Sequence, residues 1–214
     1  MAQLLTDPRR YGEVVDELGL FPLGIVLLPG EQIPLHIFEP RYRELIGECL
    51  ERDTEFGLLH ADDGGLREIG TRARVTEVLE RFDDGRLNVV VQGGDRFRVR
   101  ALTSGRAFGT ATVEDVEDED DPADPAAEER ARELFHTLRE AVGVDLGEPP
   151  PGAFGIAGLL DFDVGAKQEL LELRSERLRV ARLVELLEKG IESLRVQKER
   201  GEIASRNGHF RSDG

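Results

Sequence analysis

The stretch LREIGTRARVTEVLERFDDGRLNVVVQGGDRFRVRAL, residues 66–102, decides the fold. Two strand-like runs, Leu66–Phe82 and Leu87–Gln92, flank Asp83-Asp84-Gly85, where a glycine supplies the positive φ of a tight hairpin. Gly93-Gly94 reads as a break. Beyond it Phe97, Val99 and Ala101 alternate with Arg96, Arg98 and Arg100, the period-two signature of a half-buried strand. Phe56–Leu59 before this stretch and Ala107–Val116 after it add further strands. Short strands separated by turn signals predict an antiparallel barrel, closed or half-closed.

Working outward toward the N-terminus, Gln32–Phe38 and Leu20–Leu28 read as extended segments around a Pro29-Gly30 turn, with Pro22 marking an edge or bulge. Between them and the barrel, Pro40 opens a helix whose Tyr42, Leu45, Ile46, Cys49 and Leu50 share one stripe. On that stripe Cys49 reads as a small buried hydrophobe. At the start of the chain, Asp7-Pro8 followed by Tyr11, Val14, Val15 and Leu18 predicts a short helix ended at Gly19.

Toward the C-terminus the composition changes. Eight acidic residues and no basic one lie between Glu114 and Asp124, half of the chain's formal charge of -16, and read as a solvated, self-repelling linker. Helical patterns follow at Ala126–Val142, Phe154–Phe162 and Val164–Leu173, with a long helix capped by Ser175. The expected organisation is an α+β chain: a helical extension over 1–19, a β-rich barrel over 20–116, an acidic linker over 117–125, a helical subdomain over 126–200 and a polar, frayed tail over 201–214.

With Lys+Arg 28 against Asp+Glu 44, the chain repels phosphate backbones and anionic membranes. The run from Gly19 to Gly30 is too short and too broken to span a bilayer, and no signal peptide precedes it. A single cysteine excludes an internal disulfide and a Cys-rich metal site, and the four histidines stand apart. No phosphate-binding loop, G-x-S-x-G or H-E-x-x-H occurs. These features predict a cytoplasmic protein without catalytic, cofactor-binding or metal-ligating residues.

The run FPLGIVLLPG at 21–30, followed by IPLHIFEPRYR at 33–43, resembles the N-terminal substrate-binding domain of Lon-type ATP-dependent proteases. Glu68–Ala73, Asp84–Gly93, Arg96–Val99, Lys167–Glu172 and Glu176–Leu178 agree with it, so the resemblance extends over roughly 20–187. It implies a PUA-like pseudo-β-barrel followed by an α-helical part, acting without the ATPase and protease modules. It implies a non-enzymatic module that binds unfolded or extended polypeptide, or a protein partner. PUA-like barrels also include RNA binders, which makes nucleic-acid binding the alternative, against which the charge argues.

Within the resembling motif, His36, Phe38, Glu39, Arg41 and Tyr42 are the candidate substrate-binding residues, because they join aromatic, acidic and guanidinium groups where a strand meets a helix. Each has a structural reading beside the functional one. Phe38 groups with Pro34, Leu35 and Ile37 as residues that pack the barrel against the helix. His36 faces solvent or a groove, as a hydrogen-bonding residue or a ligand contact. Glu39 suits a helix N-terminus, and Arg41 pairs with it or with a neighbouring strand. The Arg96, Arg98, Arg100 stripe is either a partner patch or internally paired.

Overall fold

The computed structural model describes residues 16–208, with side chains placed over 17–200. Its contacts divide into two compact units. One takes the chain up to Leu27 and Gln32–Val116; the other takes Leu28–Glu31 together with Glu117 onward.

The first unit holds seven strands and a helix: β1 (Asp16–Leu23), β2 (Gln32–Ile37), α1 (Pro40–Arg52), β3 (Phe56–Asp62), β4 (Gly65–Leu66), β5 (Ile69–Arg81), β6 (Leu87–Thr103) and β7 (Thr110–Asp115). Strands β1, β7, β6, β5 and β3 form a ring, closed because β1 also pairs with β3. That closing pair is parallel, whereas every other pairing is antiparallel, as the turn pattern predicts. Closure removes the free edges of the five ring strands, while β2 pairs with β6 alone.

Two expectations change here. Residues 16–19 are strand, in register with β7, where a helix running to Gly19 was expected; the rest of that segment lies outside the described residues. Gly93-Gly94 does not end a strand. Instead β6 runs through it, pairing with β2 up to Gln92 and with β7 from Phe97 onward. The two glycines therefore mark where one long strand changes partners, and the ladder to β5 slips in register at the same place.

Alternation along the strands sorts side chains into two clusters. Leu18, Leu20, Leu59, Phe97, Ala111 and Val113 form the smaller one. There Gly57 admits the Phe97 ring, since a Cβ at 57 would stand 2.6 Å from Phe97 Cζ. The larger cluster gathers Phe21, Phe56, Leu58, Val89 and Val91 against Tyr42, Leu45, Ile46 and Cys49 of α1, the stripe that the helical spacing predicts. The hairpin turn forms as its sequence indicates, with Gly85 at φ 84°.

The second unit holds α2 (Pro125–Val142), α3 (Gly152–Ala157), α4 (Val164–Glu172) and α5 (Glu176–Gly208). Asp124 and Asp163 cap α2 and α4 by accepting from the backbone N–H groups of Ala126 and Ala166, and Ser175 accepts from Leu178 N at the start of α5. The backbone helix α5 continues through Gly208, past the frayed end expected from residue 201. Buried Leu134, Phe135, Ile156, Leu170, Leu183 and Leu187 supply the unit's apolar interior.

The acidic segment departs most from its reading as a solvated linker. Asp118 binds the Arg179 guanidinium, Asp121 accepts from Ser175 Oγ at 2.5 Å and Arg177 Nε at 3.0 Å, and Arg174 donates to the Glu117 carbonyl. Backbone bonds Glu119 N→Arg174 O and Arg177 N→Asp121 O tie it down further. Its residues 117–120 stay exposed, but Glu119, Asp121 and Asp118 pair with Arg174, Arg177 and Arg179 around the start of α5, which a count of like charges along the sequence does not reveal.

Candidate binding face

Strand β2 ends at Ile37, and the chain turns through Phe38 and Glu39 into α1. Ile37 points into the core, so its neighbours His36 and Phe38 point outward. Phe38, expected to pack the barrel against the helix, is instead 58% exposed, because the strand alternation that buries Ile37 turns its neighbour outward. It stacks on the His36 ring at 5.8 Å, and Phe82 from the hairpin meets His36 edge-on at 6.0 Å.

His36 is fixed by a ladder across three strands. Its Nδ1 lies 2.6 Å from Asn88 Oδ1 on β6, and Asn88 Nδ2 donates to Glu80 Oε2 on β5 at 3.0 Å. The register places these three residues directly opposite one another, His36 against Asn88 and Asn88 against Glu80. Since the Asn88 oxygen accepts, His36 Nδ1 carries the proton, and Nε2 is left as the acceptor in the neutral ring.

The other three candidates divide. Glu39 occupies the N-cap of α1 without a side-chain cap bond; its carboxylate accepts instead from Arg41 Nε at 2.9 Å. Both partners of this pair are substantially exposed. Tyr42 lies behind them at 5% exposure, its ring 4.1 Å from that of Phe21 and capped by the Arg41 guanidinium. Burial pushes its hydroxyl above the ordinary pKa of 10.0. The structure thus brings His36, Phe38, Glu39 and Arg41 to one surface and gives Tyr42 to the core. Phe82, Asn88 and Glu80 complete that surface and are absent from the sequence reading. Their signal, outward parity in a hairpin strand, becomes usable only once β2 is known to pair with β6.

Other features absorb themselves. Arg98 and Arg100 both reach Glu114 on the adjacent β7, and Arg96 is buried, so the basic stripe is internally paired. A cleft of about 460 Å3 opens between α1 and β1, β5 and the Arg106–Phe108 loop; around it Arg106 and Arg52 bind Glu48, and Arg74 binds Asp53. Cys49 lines this cleft but is buried, and burial raises its thiol pKa, as its place on the α1 stripe predicts. Among the described residues, no group of three His, Cys, Asp or Glu could hold a metal, and no helix is long and apolar enough to cross a membrane.

Comparison with known proteins brings this arrangement into a family. The model of the ATP-dependent protease La (LON) substrate-binding domain matches residues 17–189. A crystal structure of a Lon N-terminal domain protein from Xanthomonas campestris is similar at 30% identity and a TM-score of 0.63, covering 79% of this chain and 98% of that one. The N-terminal domain of a Mycobacterium avium complex Lon protease shares the fold at 19% identity, with the same TM-score and coverage of 81% and 98%. A Lon protease of Paraburkholderia phytofirmans is 29% identical over 208 residues, 87% of this chain and 26% of that protein. The chain spans about a quarter of the length of the curated relatives it matches.

Proposed function

The chain belongs to the LON substrate-binding domain family, and from that premise we propose that it is a non-enzymatic module binding unfolded or extended polypeptide. The observation that carries the reading is the exposed Phe38 ring. A large aromatic side chain held rigidly in water, with polar groups at its margin, is the anatomy of an interaction surface rather than of a core. His36, Phe38, Glu39 and Arg41 form the contact, with Tyr42 holding the turn in place from behind.

The proposal separates binding from bracing. Glu39→Ala and Arg41→Ala each remove one member of an exposed pair, whose loss costs stability by less than about 1 kcal/mol. Both variants should melt within a few degrees of the parent while binding a chemically denatured client several-fold more weakly. The experiment is thermal melting and client affinity, the latter by fluorescence anisotropy, on the same preparations. Lowered melting with unchanged affinity per folded molecule would overturn the site.

A further inference from the structure

Resting on that reading, we propose that the face around His36 selects polypeptide segments in which an aromatic residue is flanked by basic ones. The apolar part of the surface is built from Phe38 and Phe82, whose rings both meet that of His36, and Leu79 is exposed where β5 bulges between Val78 and Glu80. An aromatic side chain of a partner finds ring faces and edges here, together with His36 Nε2 as an acceptor.

The charge around these rings is one-sided. Glu77 and Glu80 pair in register with Val90 and Asn88, so both carboxylates share the outward face with His36. Among the described residues Glu77 and Asp83 form no ion pair, and Glu80 is engaged only by the neutral Asn88 amide. Of the arginines nearby, Arg86 lies over Phe82 and binds Asp84, Arg41 binds Glu39, and Arg43 is turned to the Asp84 carbonyl at the hairpin. Arg81 alternates to the opposite side of β5 from Glu80, in register with buried Leu87. A partner therefore meets rings bordered by uncompensated negative charge, which attracts lysine and arginine and repels acidic segments.

The partner lies across the face rather than extending the sheet. Strand β2 pairs with β6 alone, but its outer edge carries Pro34, which has no N–H to offer an added strand. Recognition thus falls to side chains, and composition rather than backbone pairing decides it.

Three dye-labelled peptides of equal length in a Gly/Ser background test this: one bearing Phe with Lys, one Phe with Glu, one Ala with Lys. By fluorescence anisotropy the full chain should bind the Phe/Lys peptide about tenfold more tightly than either of the others. Phe38→Ala should remove the advantage over Ala/Lys. The double variant Glu77→Gln, Glu80→Gln should remove the advantage over Phe/Glu and flatten the salt dependence. Both variants change exposed side chains, and circular dichroism confirms their folding. Equal affinity for Phe/Lys and Phe/Glu, or indifference to Phe38→Ala, overturns the selection. If denatured client binds but none of the peptides does, the selection falls and the broader binding role stands; if client fails to bind as well, both fall.

Discussion

Arg179 is 2% exposed, yet it is charged, and its neighbours account for its position. Its guanidinium reaches both oxygens of Asp118, binds Glu176 one turn earlier in α5, donates to the Leu173 carbonyl and lies 4.1 Å from the Phe154 ring centroid. One buried side chain thereby joins the acidic segment, the start of α5 and α3. Arg179→Met keeps much of the volume but takes the guanidinium away from Asp118, Glu176 and the Leu173 carbonyl. The expected loss is about 1–3 kcal/mol, because the buried hydrogen bonds go while both carboxylates keep some contact with water and Glu176 keeps its bond from Ala153 N; urea denaturation against the parent checks it. Such a role is invisible in sequence, where Arg179 is one arginine among several on a helix. The candidate face divides the same way. His36 follows from its parity beside Leu35 and Ile37, and the burial of Tyr42 from its place on the α1 stripe, whereas the exposure of Phe38, which reads as a packing residue beside Ile37, depends on how the turn into α1 is made.

At the scale of elements, legibility tracks the locality of the cause. Pro40 and Ser175 announce helix starts, and Asp124 and Asp163 act by the same local means, because a cap acts within three residues. The continuity of β6 through Gly93-Gly94 is not announced, because it depends on β2 and β7 taking over from one another on the same side. The acidic segment depends likewise on arginines more than fifty residues away. Its attachment has a pH signature. Hydrogen bonds from Arg177, then from Ser175, hold the Asp121 carboxyl below the ordinary 3.8. A group with its folded pKa so depressed contributes fully above the unfolded value, and the contribution disappears as pH falls through the folded one. Urea midpoints should therefore decline below about pH 4. Arg177→Ala should start lower at pH 6 and decline less; an identical acid slope in both proteins would show that Asp121 carries none of the effect.

On the scale of the whole molecule, the β-rich unit precedes the helical one along the chain, and the boundary near Val116 falls where the composition shifts. One short piece breaks the rule. Leu28–Glu31, at the turn between β1 and β2, belongs with the helices. Glu31 is buried there, accepting from Lys167 Nζ at 2.5 Å with one oxygen and from Leu28 N at 2.9 Å with the other. Lys167→Met strands that carboxylate and should cost about 3–5 kcal/mol, while Lys167→Met combined with Glu31→Gln should recover part of it. A double-mutant cycle by thermal melting measures the coupling, and strictly additive losses would deny it.

The buried pair of Glu31 and Lys167 also sets an order in time. The two residues are 136 positions apart, the longest span among the side-chain bonds described above. At a synthesis rate of roughly 5–20 residues per second, Glu31 is joined to the nascent chain about 7–27 s before its partner is. For that interval the strands can pair, while a leucine and a glutamate of their own turn wait for helices that do not yet exist. The helical unit, translated after the strands, can close only over a segment made before most of them.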